Sequence, residues 1–201
     1  MMRGKFISFE GPEGAGKSTL IRALSEWISL PNLVTREPGD GPAGAMIRAA
    51  LLEGGALDAW AETFLFLADR SQHVEKVIEP ALASGQVVLC DRFADSTVVY
   101  QVYGRGLPLD KLRELNLLAT RGLKPDLTVL LDIEPQIGLN RIENKDRLDS
   151  EPIEFHSRIR AGFLAEAELD PTRWLVLDAS EPSGHVLQKA KDALICLGVS
   201  L

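Results

Sequence analysis

A short glycine-rich stretch near the N-terminus constrains this chain more than any other feature. It reads Gly11-Pro12-Glu13-Gly14-Ala15-Gly16-Lys17-Ser18 and matches the pattern GxxxxGK[ST] in full. The apolar run before it predicts a strand, and the pattern after it predicts a helix, which is the context that such a loop requires. The glycines allow backbone N–H groups to turn inward around phosphate oxygens, and the helix dipole adds positive potential there. The sequence therefore predicts a nucleotide-phosphate loop, and we call residues 11–18 the cradle.

The polar side chains in and near the cradle have predicted tasks. Lys17 is expected to bridge the β- and γ-phosphates, and the Ser18 hydroxyl to bind Mg²⁺. A second metal ligand is expected after a neighbouring buried strand, and Asp91 fits because Val87–Cys90 delivers it to the carboxyl edge of the sheet. Glu10, which ends the first strand, is a candidate for the catalytic, metal or sugar region, although both carboxylates could be ordinary loop residues. The predicted site for ATP with Mg²⁺ comprises Gly11, Pro12, Glu13, Gly14, Ala15, Gly16, Lys17, Ser18 and Thr19.

Short apolar segments alternate with longer helical patterns along the whole chain. The predicted strands are Phe6–Phe9, Leu33–Thr35, Val87–Cys90, Leu127–Asp132 and Leu175–Leu177. Several are apolar at consecutive positions, as in parallel strands that are covered on both faces. The predicted helices are Ser18–Ser29, Gly44–Leu52, Trp60–Ser84, Asp110–Thr120, Pro135–Ile142, Glu154–Glu168 and Ser183–Leu197. We predict one α/β domain over residues 1–201, a three-layer P-loop NTPase fold with a five-stranded parallel sheet flanked by helices and a short lid at about 141–153.

Composition restricts the partners and the location. The net charge of −7 in 201 residues does not favour nucleic acid or an anionic membrane surface. The two cysteines, Cys90 and Cys196, lie far apart and suggest reduced thiols. The first apolar run stops at Glu10, too early for a signal-peptide core, and no stretch has the length of a membrane span. We therefore expect a soluble cytoplasmic protein with no nucleic-acid and no membrane partner.

The cradle alone does not distinguish a kinase, a switch GTPase and a mechanical ATPase. A switch GTPase needs Asn-Lys-x-Asp to read guanine, whereas Asn144-Lys145-Asp146-Arg147 places the aspartate one residue too early. A DxxG switch is also missing from the sequence, and large ATPases need a longer chain. A small kinase needs a second anion site and a mobile cover that excludes water. Arginines suit both tasks, although each alone could be a surface ion pair. Four of them, Arg36, Arg48, Arg70 and Arg92, lie near a predicted strand end or on a predicted helix that faces the site. Three further cations, Arg141, Lys145 and Arg147, lie in one polar stretch.

Five segments resemble, in order, the conserved segments of one family. They are Phe9–Ser18, Thr35–Gly39, Asp91–Phe93 with Ser96, Thr97, Tyr100 and Gln101, Pro125–Thr128, and Asp146–Glu151. Over nearly its whole length the chain thus resembles the bacterial thymidylate kinases, which are P-loop nucleoside monophosphate kinases. The resemblance implies transfer of the γ-phosphate of ATP to dTMP, which gives ADP and dTDP on the way to dTTP. It also implies a homodimer.

The resemblance assigns roles to matching positions. Arg92, which is also a catalytic candidate, and Arg48 would hold the acceptor phosphate, and Phe66 would stack on thymine. The polar edge of the base would be read by Arg70 and Gln101. The rest of the predicted pocket consists of Glu37, Pro38, Ser96, Thr97 and Tyr100. The residues alone leave alternatives open, because an aromatic in Phe64-Leu65-Phe66-Leu67 is often a core residue, and Tyr100 and Gln101 could lie on a helix surface.

The sequence also departs from the family pattern. Asp40 stands where the family has a second glycine after its TREPG segment, and Val102 replaces a small residue. The cradle has no basic residue at its variable positions, so a lid cation is expected to stabilise the transition state, with Arg147 favoured first and Arg141 second. A solvated charge run is the alternative for these lid residues. Another kinase of the same fold, a regulatory nucleotide switch and a non-catalytic assembly protein remain the competing functions.

Overall fold

A parallel sheet forms the middle layer of the protein. The structure is a computed structural model that describes residues 3–199. Five strands pair in the order β2-β3-β1-β4-β5, and their bounds are β1 Phe6–Glu10, β2 Asn32–Arg36, β3 Val87–Asp91, β4 Leu127–Asp132 and β5 Trp174–Asp178. β1 lies in the centre between β3 and β4, and Phe9 is in register with Asp91. The loops that follow β1 and β3 therefore leave the sheet side by side, and all five predicted strands are present.

Helices cover both faces of the sheet. Their bounds are α1 Lys17–Trp27, α2 Gly44–Leu52, α3 Ala59–His73, α4 Glu79–Ala83, α5 Ala94–Val98, α6 Leu109–Thr120, α7 Pro135–Leu139, α8 Ile153–Leu169 and α9 Ser183–Cys196. Two π-helical turns, Val74–Ile78 and Val99–Gly104, follow α3 and α5 directly. None of the helices in residues 3–199 has the length and apolar character needed to cross a membrane.

The alternation of side chains along the strands produces the layers. Ile7 and Phe9 join a buried cluster with Leu24 of α1 and Leu194 of α9. Phe6, one residue out of phase, joins buried apolar side chains of the opposite face. Successive side chains of a strand point to opposite faces, so β1 is buried from both sides. The predicted three-layer fold with a flanked five-stranded parallel sheet is confirmed.

The helical pattern differs from the prediction in two places. The predicted helix Trp60–Ser84 consists of α3, a π-helical turn and α4 in succession. The segment 94–104, for which the sequence pattern predicts no element, forms α5 and the second π-helical turn. Its β-branched residues favour strands on propensity alone, but Val99 and Tyr100 are buried in a cluster with Phe155 and Phe163 of α8. Tertiary packing has overridden local propensity here.

Candidate active site

One large cavity opens at the carboxyl ends of the strands, where ligands of open α/β sheets bind. It has a volume of about 940 Å³. The cradle residues 13–18 form one end of it. The other end is lined by Arg36, Glu37, Pro38, Arg48, Phe66, Arg70, Arg92, Ser96, Thr97, Tyr100 and Gln101. A third part of the wall was not predicted and follows β5, with Ala179, Glu181, Ser183, Gly184, Val186 and Leu187.

The backbone path of the cradle depends on two of its glycines. Gly11 and Gly14 have φ angles of 138° and 68°, in the region that disfavours side chains. A Cβ at Gly11 would lie 2.4 Å from the Leu131 carbonyl oxygen, and one at Gly14 would lie 2.0 Å from the Gly138 oxygen. Any side chain at either position would therefore force the loop away from β4 or α7. The cradle keeps its close turn because both residues are glycine.

Lys17 lies inside the cradle. Its Nζ donates to the carbonyl oxygens of Gly11 and Pro12, both at 3.0 Å. Burial lowers the pKa of this ammonium group, and the nearby Arg92 guanidinium lowers it further. The side chain is thus held in the concave side of the loop, in the position from which a cation can contact a bound anion.

Ser18 and Asp91 meet at the mouth of the cradle, as their sequence positions suggested. The Ser18 hydroxyl donates to Asp91 Oδ2 at 3.1 Å. The other carboxylate oxygen of Asp91, Oδ1, is buried and has no hydrogen-bond partner among the described residues. A buried carboxylate oxygen without a partner is costly, and oxygen donors are what Mg²⁺ prefers. The donor set at this point therefore fits a hard divalent cation.

Glu10 lies beneath the cavity, and the described lining does not include it. It accepts hydrogen bonds from the backbone N–H of Phe93 at 2.8 Å and from the Ser96 hydroxyl at 2.5 Å. Burial, reinforced by the charge of Asp95, raises the pKa of Glu10 to about 8. These contacts hold the loop that carries Arg92. A catalytic role for Glu10 stays a prediction.

Glu13 and Arg92 join the two ends of the cavity. Arg92 donates to Glu13 Oε2 at 2.6 Å and to the Ser96 hydroxyl at 3.1 Å, and its guanidinium lies 5.1 Å from the centre of the Tyr100 ring. Tyr100 also donates to Glu13. Burial alone would raise the pKa of Glu13, but Arg92 and Lys17 outweigh it and lower that pKa to about 2. Arg92 has a φ of 68°, a strained angle for this residue, and such strain often occurs at functional sites.

Arg70 is held in the pocket wall by hydrogen bonds and an ion pair. It forms an ion pair of 2.7 Å with Glu37 and donates to Thr97 Oγ1 at 2.6 Å. Its remaining partners are Glu37 through Nε, the Asn116 side-chain oxygen and the Phe93 carbonyl oxygen. A guanidinium has five N–H groups, and four of them donate hydrogen bonds to these partners. At most one N–H of Arg70 is therefore left to read a base directly, and that role stays a prediction.

The apolar and amide groups of the pocket come from three helical segments. Phe66 of α3 is half-buried and, like Leu52 of α2, packs against a buried apolar cluster that includes Leu148 of the 141–153 segment. Arg48 donates to the Pro38 carbonyl oxygen at 2.8 Å. Gln101 is fully buried, and its Oε1 has no partner among residues 3–199. An aromatic face and an unused acceptor thus lie in one pocket wall.

The cations of the 141–153 segment are placed differently from one another. Arg141 donates to the Gly14 carbonyl oxygen at 3.4 Å and lines the cavity. Arg147 donates to the Leu51 carbonyl oxygen at 2.8 Å and to Glu62 at 2.5 Å, and the described lining of the cavity does not include it. Lys145 is exposed. The structure thus brings Arg141, and not Arg147, to the cradle, although the sequence favoured Arg147. The catalytic role of each stays a prediction.

Sequence reasoning missed two buried polar residues that hold the pocket. Glu62 accepts hydrogen bonds from Gln101, Arg105 and Arg147, and Asn116 accepts one from Arg70. Both lie on helices with mixed polar and apolar surroundings, where a single glutamate or asparagine usually faces solvent. Their burial follows from the packing of α3 and α6, and the local sequence carries no signal of it.

Comparison with known proteins agrees with this geometry. The family model described as thymidylate kinase matches residues 9–190. A thymidylate kinase of Desulfovibrio desulfuricans is 49% identical over an alignment of 204 positions, which covers 94% of each chain. One from a Synechococcus strain is 50% identical over 184 residues, covering 90% of this chain and 89% of the relative. One from Cutibacterium acnes is 47% identical over 183 residues, covering 89% and 90%. The chain therefore belongs to the thymidylate kinase family.

Proposed function

We propose that this protein transfers the γ-phosphoryl group of ATP to dTMP, giving ADP and dTDP for dTTP synthesis. The observation that carries the proposal is a single cavity that joins a complete phosphate cradle to an arginine-lined pocket with an aromatic wall. Membership of the thymidylate kinase family supports the same pair of substrates. A regulatory nucleotide switch would need the phosphate cradle but not the arginine-lined pocket.

Positioning and charge neutralisation account for the chemistry. An oxygen of the dTMP phosphate forms a bond to the γ-phosphorus, while the bond from that phosphorus to the β–γ bridging oxygen breaks and ADP leaves. The acceptor is already an anion, so the reaction needs no strong base. Lys17 would neutralise charge on the transferred group, and Arg92, with Arg48, would orient the acceptor phosphate. The strained and paired Arg92 is preorganised for this task.

Ser18 and Asp91 would hold the Mg²⁺ that accompanies ATP. A bound Mg²⁺ supplies positive charge to the phosphate oxygens of the donor and orients them. The Oδ1 atom of Asp91, which has no hydrogen-bond partner within residues 3–199, supports this assignment from the protein side. Pro12, Glu13, Ala15 and Thr19 are proposed to complete the surroundings of the ATP phosphates together with the glycines of the cradle.

The base would be held by an aromatic face and read by an amide. Phe66 would stack on the pyrimidine ring. Gln101 Oε1 would accept the N3–H of thymine, and the second N–H of its amide would donate to a ring carbonyl. Glu37 and Arg70, with Pro38, Ser96, Thr97 and Tyr100, would form the rest of the pocket. We expect purine nucleotides to be poor acceptors, because these contacts match a pyrimidine ring.

The segment 141–153 would act as the lid. It forms no helix or strand between α7 and α8. Leu148 and Arg147 attach it to the rest of the protein on one side, and Arg141 contacts the cradle on the other. Closure over bound ATP would bring Arg141 to the phosphates and exclude water from the transfer.

We also propose that the protein is a cytoplasmic homodimer. Three exposed apolar side chains, Phe64 of α3 and Leu117 and Leu118 of α6, are carried by two helices that pack on each other. An exposed apolar patch of this kind suits a second copy of the chain. Leu118→Glu should reduce the mass measured by light scattering from dimer to monomer. The equally exposed Leu169→Glu on α8 is the control and should leave the dimer intact.

A product assay tests the proposed reaction. Incubation of the protein with ATP, Mg²⁺ and dTMP should give dTDP and ADP in equal amounts on anion-exchange chromatography. Chelation of the metal should stop the reaction, and restored Mg²⁺ should restart it. ADP release that proceeds at the same rate without dTMP would show an ATPase and would refute the transfer.

A further inference from the structure

A buried carboxylate lies directly behind the pocket wall. Glu62 is 1% exposed, although it lies in the first turn of α3. Its Oε1 accepts from the side-chain amide of Gln101 at 2.8 Å, and its Oε2 accepts from Arg147 at 2.5 Å. Arg105 reaches both oxygens at 3.3 Å and also pairs with Glu151 at 2.7 Å. Glu62 thus contacts the amide of the pocket with one oxygen and a lid residue with the other.

The surroundings of Glu62 keep it ionised near neutral pH. Burial by itself would raise its pKa, but hydrogen bonds from Gln101, Arg105 and Arg147 lower the pKa below its usual value. An ionised carboxylate has no proton to donate, so the group that faces it must be a donor. The amide nitrogen of Gln101 therefore has to point at Glu62, and its oxygen has to point the other way.

This constraint matters because the two halves of an amide read opposite hydrogen-bond patterns. Gln101 lines the cavity, and its Oε1 is buried without a partner among the described residues. Because the amide nitrogen is turned to Glu62, the oxygen is the amide atom left to accept a ring N–H from a base that packs against Gln101. Thymine and uracil carry a proton at N3, whereas cytosine has a lone pair there and would face another acceptor. Two buried acceptors in contact leave both unsatisfied.

We propose that Glu62 is a positioning residue that fixes the Gln101 amide with its oxygen toward the base and so makes the pocket select pyrimidines with an N3–H over cytosine. Glu62 does not touch the substrate and acts through Gln101. The inference rests on the proposed function, since it assumes that the acceptor is a pyrimidine nucleotide in this pocket. What it adds to that function is that Glu62, a carboxylate outside the pocket, controls the selection against cytosine.

The variant Glu62→Gln separates this role from a structural one. A glutamine at position 62 can donate or accept, so the Gln101 amide becomes free to turn and offer its N–H to cytosine N3. The ratio of kcat/KM for dCMP to that for dTMP should rise about tenfold or more, since an unpaired buried polar group is the strongest basis of discrimination. A purely structural loss would lower both values together and leave the ratio unchanged.

A matched control comes from another shielded carboxylate. Glu166 accepts hydrogen bonds from Tyr103 and Arg113 outside the described lining of the cavity and is 9% exposed. Glu166→Gln should leave the dCMP-to-dTMP ratio at the wild-type value. A wild-type ratio in Glu62→Gln overturns the proposal, and an equal rise in both variants does the same.

A second comparison covers the case in which Glu62→Gln does not fold. Removing one partner of a buried ion pair is destabilising because the other charge is left unpaired. In the double variant Glu62→Gln/Arg147→Met both charges are gone, and Arg105 keeps Glu151. Its dCMP-to-dTMP ratio should exceed that of Arg147→Met alone about tenfold, and equal ratios would refute the inference. If the wild-type protein does not phosphorylate dTMP, the proposed function fails first, and the two failures are thus distinguished.

Discussion

The cavity has two ends that carry positive charge in different ways. We call the cradle the donor end and the arginine-lined pocket the acceptor end, after the substrates that we propose they bind. The cradle is one contiguous loop with a single buried ammonium group, that of Lys17, which contacts main-chain carbonyl oxygens. The acceptor end is assembled from separate elements, and two of its arginines already have carboxylate partners. Arg92 pairs with Glu13 at 2.6 Å, and Arg70 pairs with Glu37 at 2.7 Å.

This difference predicts different consequences of mutation at the two ends. A cation that contacts carbonyl oxygens can be removed without leaving a buried charge behind, so its loss should affect chemistry more than folding. A cation paired with a buried carboxylate is fixed in position, but its loss leaves that carboxylate unpaired, at a cost of about 3–5 kcal/mol in buried pairs. Substitutions at the acceptor end should therefore change binding and stability together.

The largest effect is expected at the donor end. Lys17→Ala should fold normally and lower kcat by about 10²- to 10³-fold, because a preorganised cation at the transferred phosphate is removed. The control is Lys5→Ala, which removes a half-exposed lysine paired with Asp126. Steady-state rates with saturating ATP and dTMP provide the measurement. A Lys17→Ala variant that keeps more than a tenth of the wild-type kcat would contradict the assignment of the cradle.

A substitution at the acceptor end should mainly change the KM for dTMP. Arg92→Ala should raise KM for dTMP by an amount equivalent to ~2–4 kcal/mol, because a buried phosphate loses a bidentate partner. KM for ATP should change little. The same variant should be less stable in urea, since Glu13 loses its partner. Arg113→Ala, which removes a half-exposed arginine from Glu166, is the control. Equal weakening of both substrates would mean that Arg92 does not distinguish the two ends.

Two carboxylates near the junction should give opposite pH dependences of stability. The pKa of Glu13 is lowered to about 2, so its contribution is present above the unfolded value near 4.5 and is lost as pH falls toward 2. The pKa of Glu10 is raised to about 8, so its contribution is present below about 4.5 and is lost as pH rises through 8. The effect is on the order of 3 kcal/mol for Glu13 and on the order of 5 kcal/mol for Glu10. The free energy of unfolding in urea should be measured as a function of pH. Glu13→Gln should reduce its fall on the acid side, and Glu10→Gln should reduce its fall on the alkaline side. Unchanged pH profiles would contradict the pairings.

Substitutions in the lid should have smaller effects, on kcat at Arg141 and on stability at Arg147. Arg141→Ala should lower kcat about tenfold with little change in KM, because its contact with the cradle places it where charge develops in the transition state. Arg147→Ala should mainly lower the free energy of unfolding, because Glu62 loses a partner. Lys145→Ala, at an exposed position, is the control. A kcat loss confined to Arg147→Ala, with unchanged stability, would restore the preference that the sequence indicated.

The sequence predicted the features that depend on local motifs and missed those that depend on packing between distant elements. The cradle, the proximity of Ser18 to Asp91, and all five strands depend on local motifs or on short apolar runs, and the structure has each of them where the pattern indicated. The π-helical turn that carries Gln101 was not predicted, because its β-branched neighbours disfavour helix and only packing on α8 decides its form. The burial of Glu62 was also beyond reach, since it results from contacts between elements far apart in sequence.

The acceptor preference tests the central claim most directly. The assay couples ADP release to a panel of acceptors, dTMP, dUMP, UMP, CMP, AMP and GMP, at one fixed ATP concentration with excess Mg²⁺. The account predicts the highest kcat/KM for dTMP, a value about tenfold lower for dUMP, which lacks one methyl group, and poor turnover of both purine nucleotides. A purine monophosphate that is phosphorylated as well as dTMP would contradict the account of the acceptor end, even if the cradle proved to work as described.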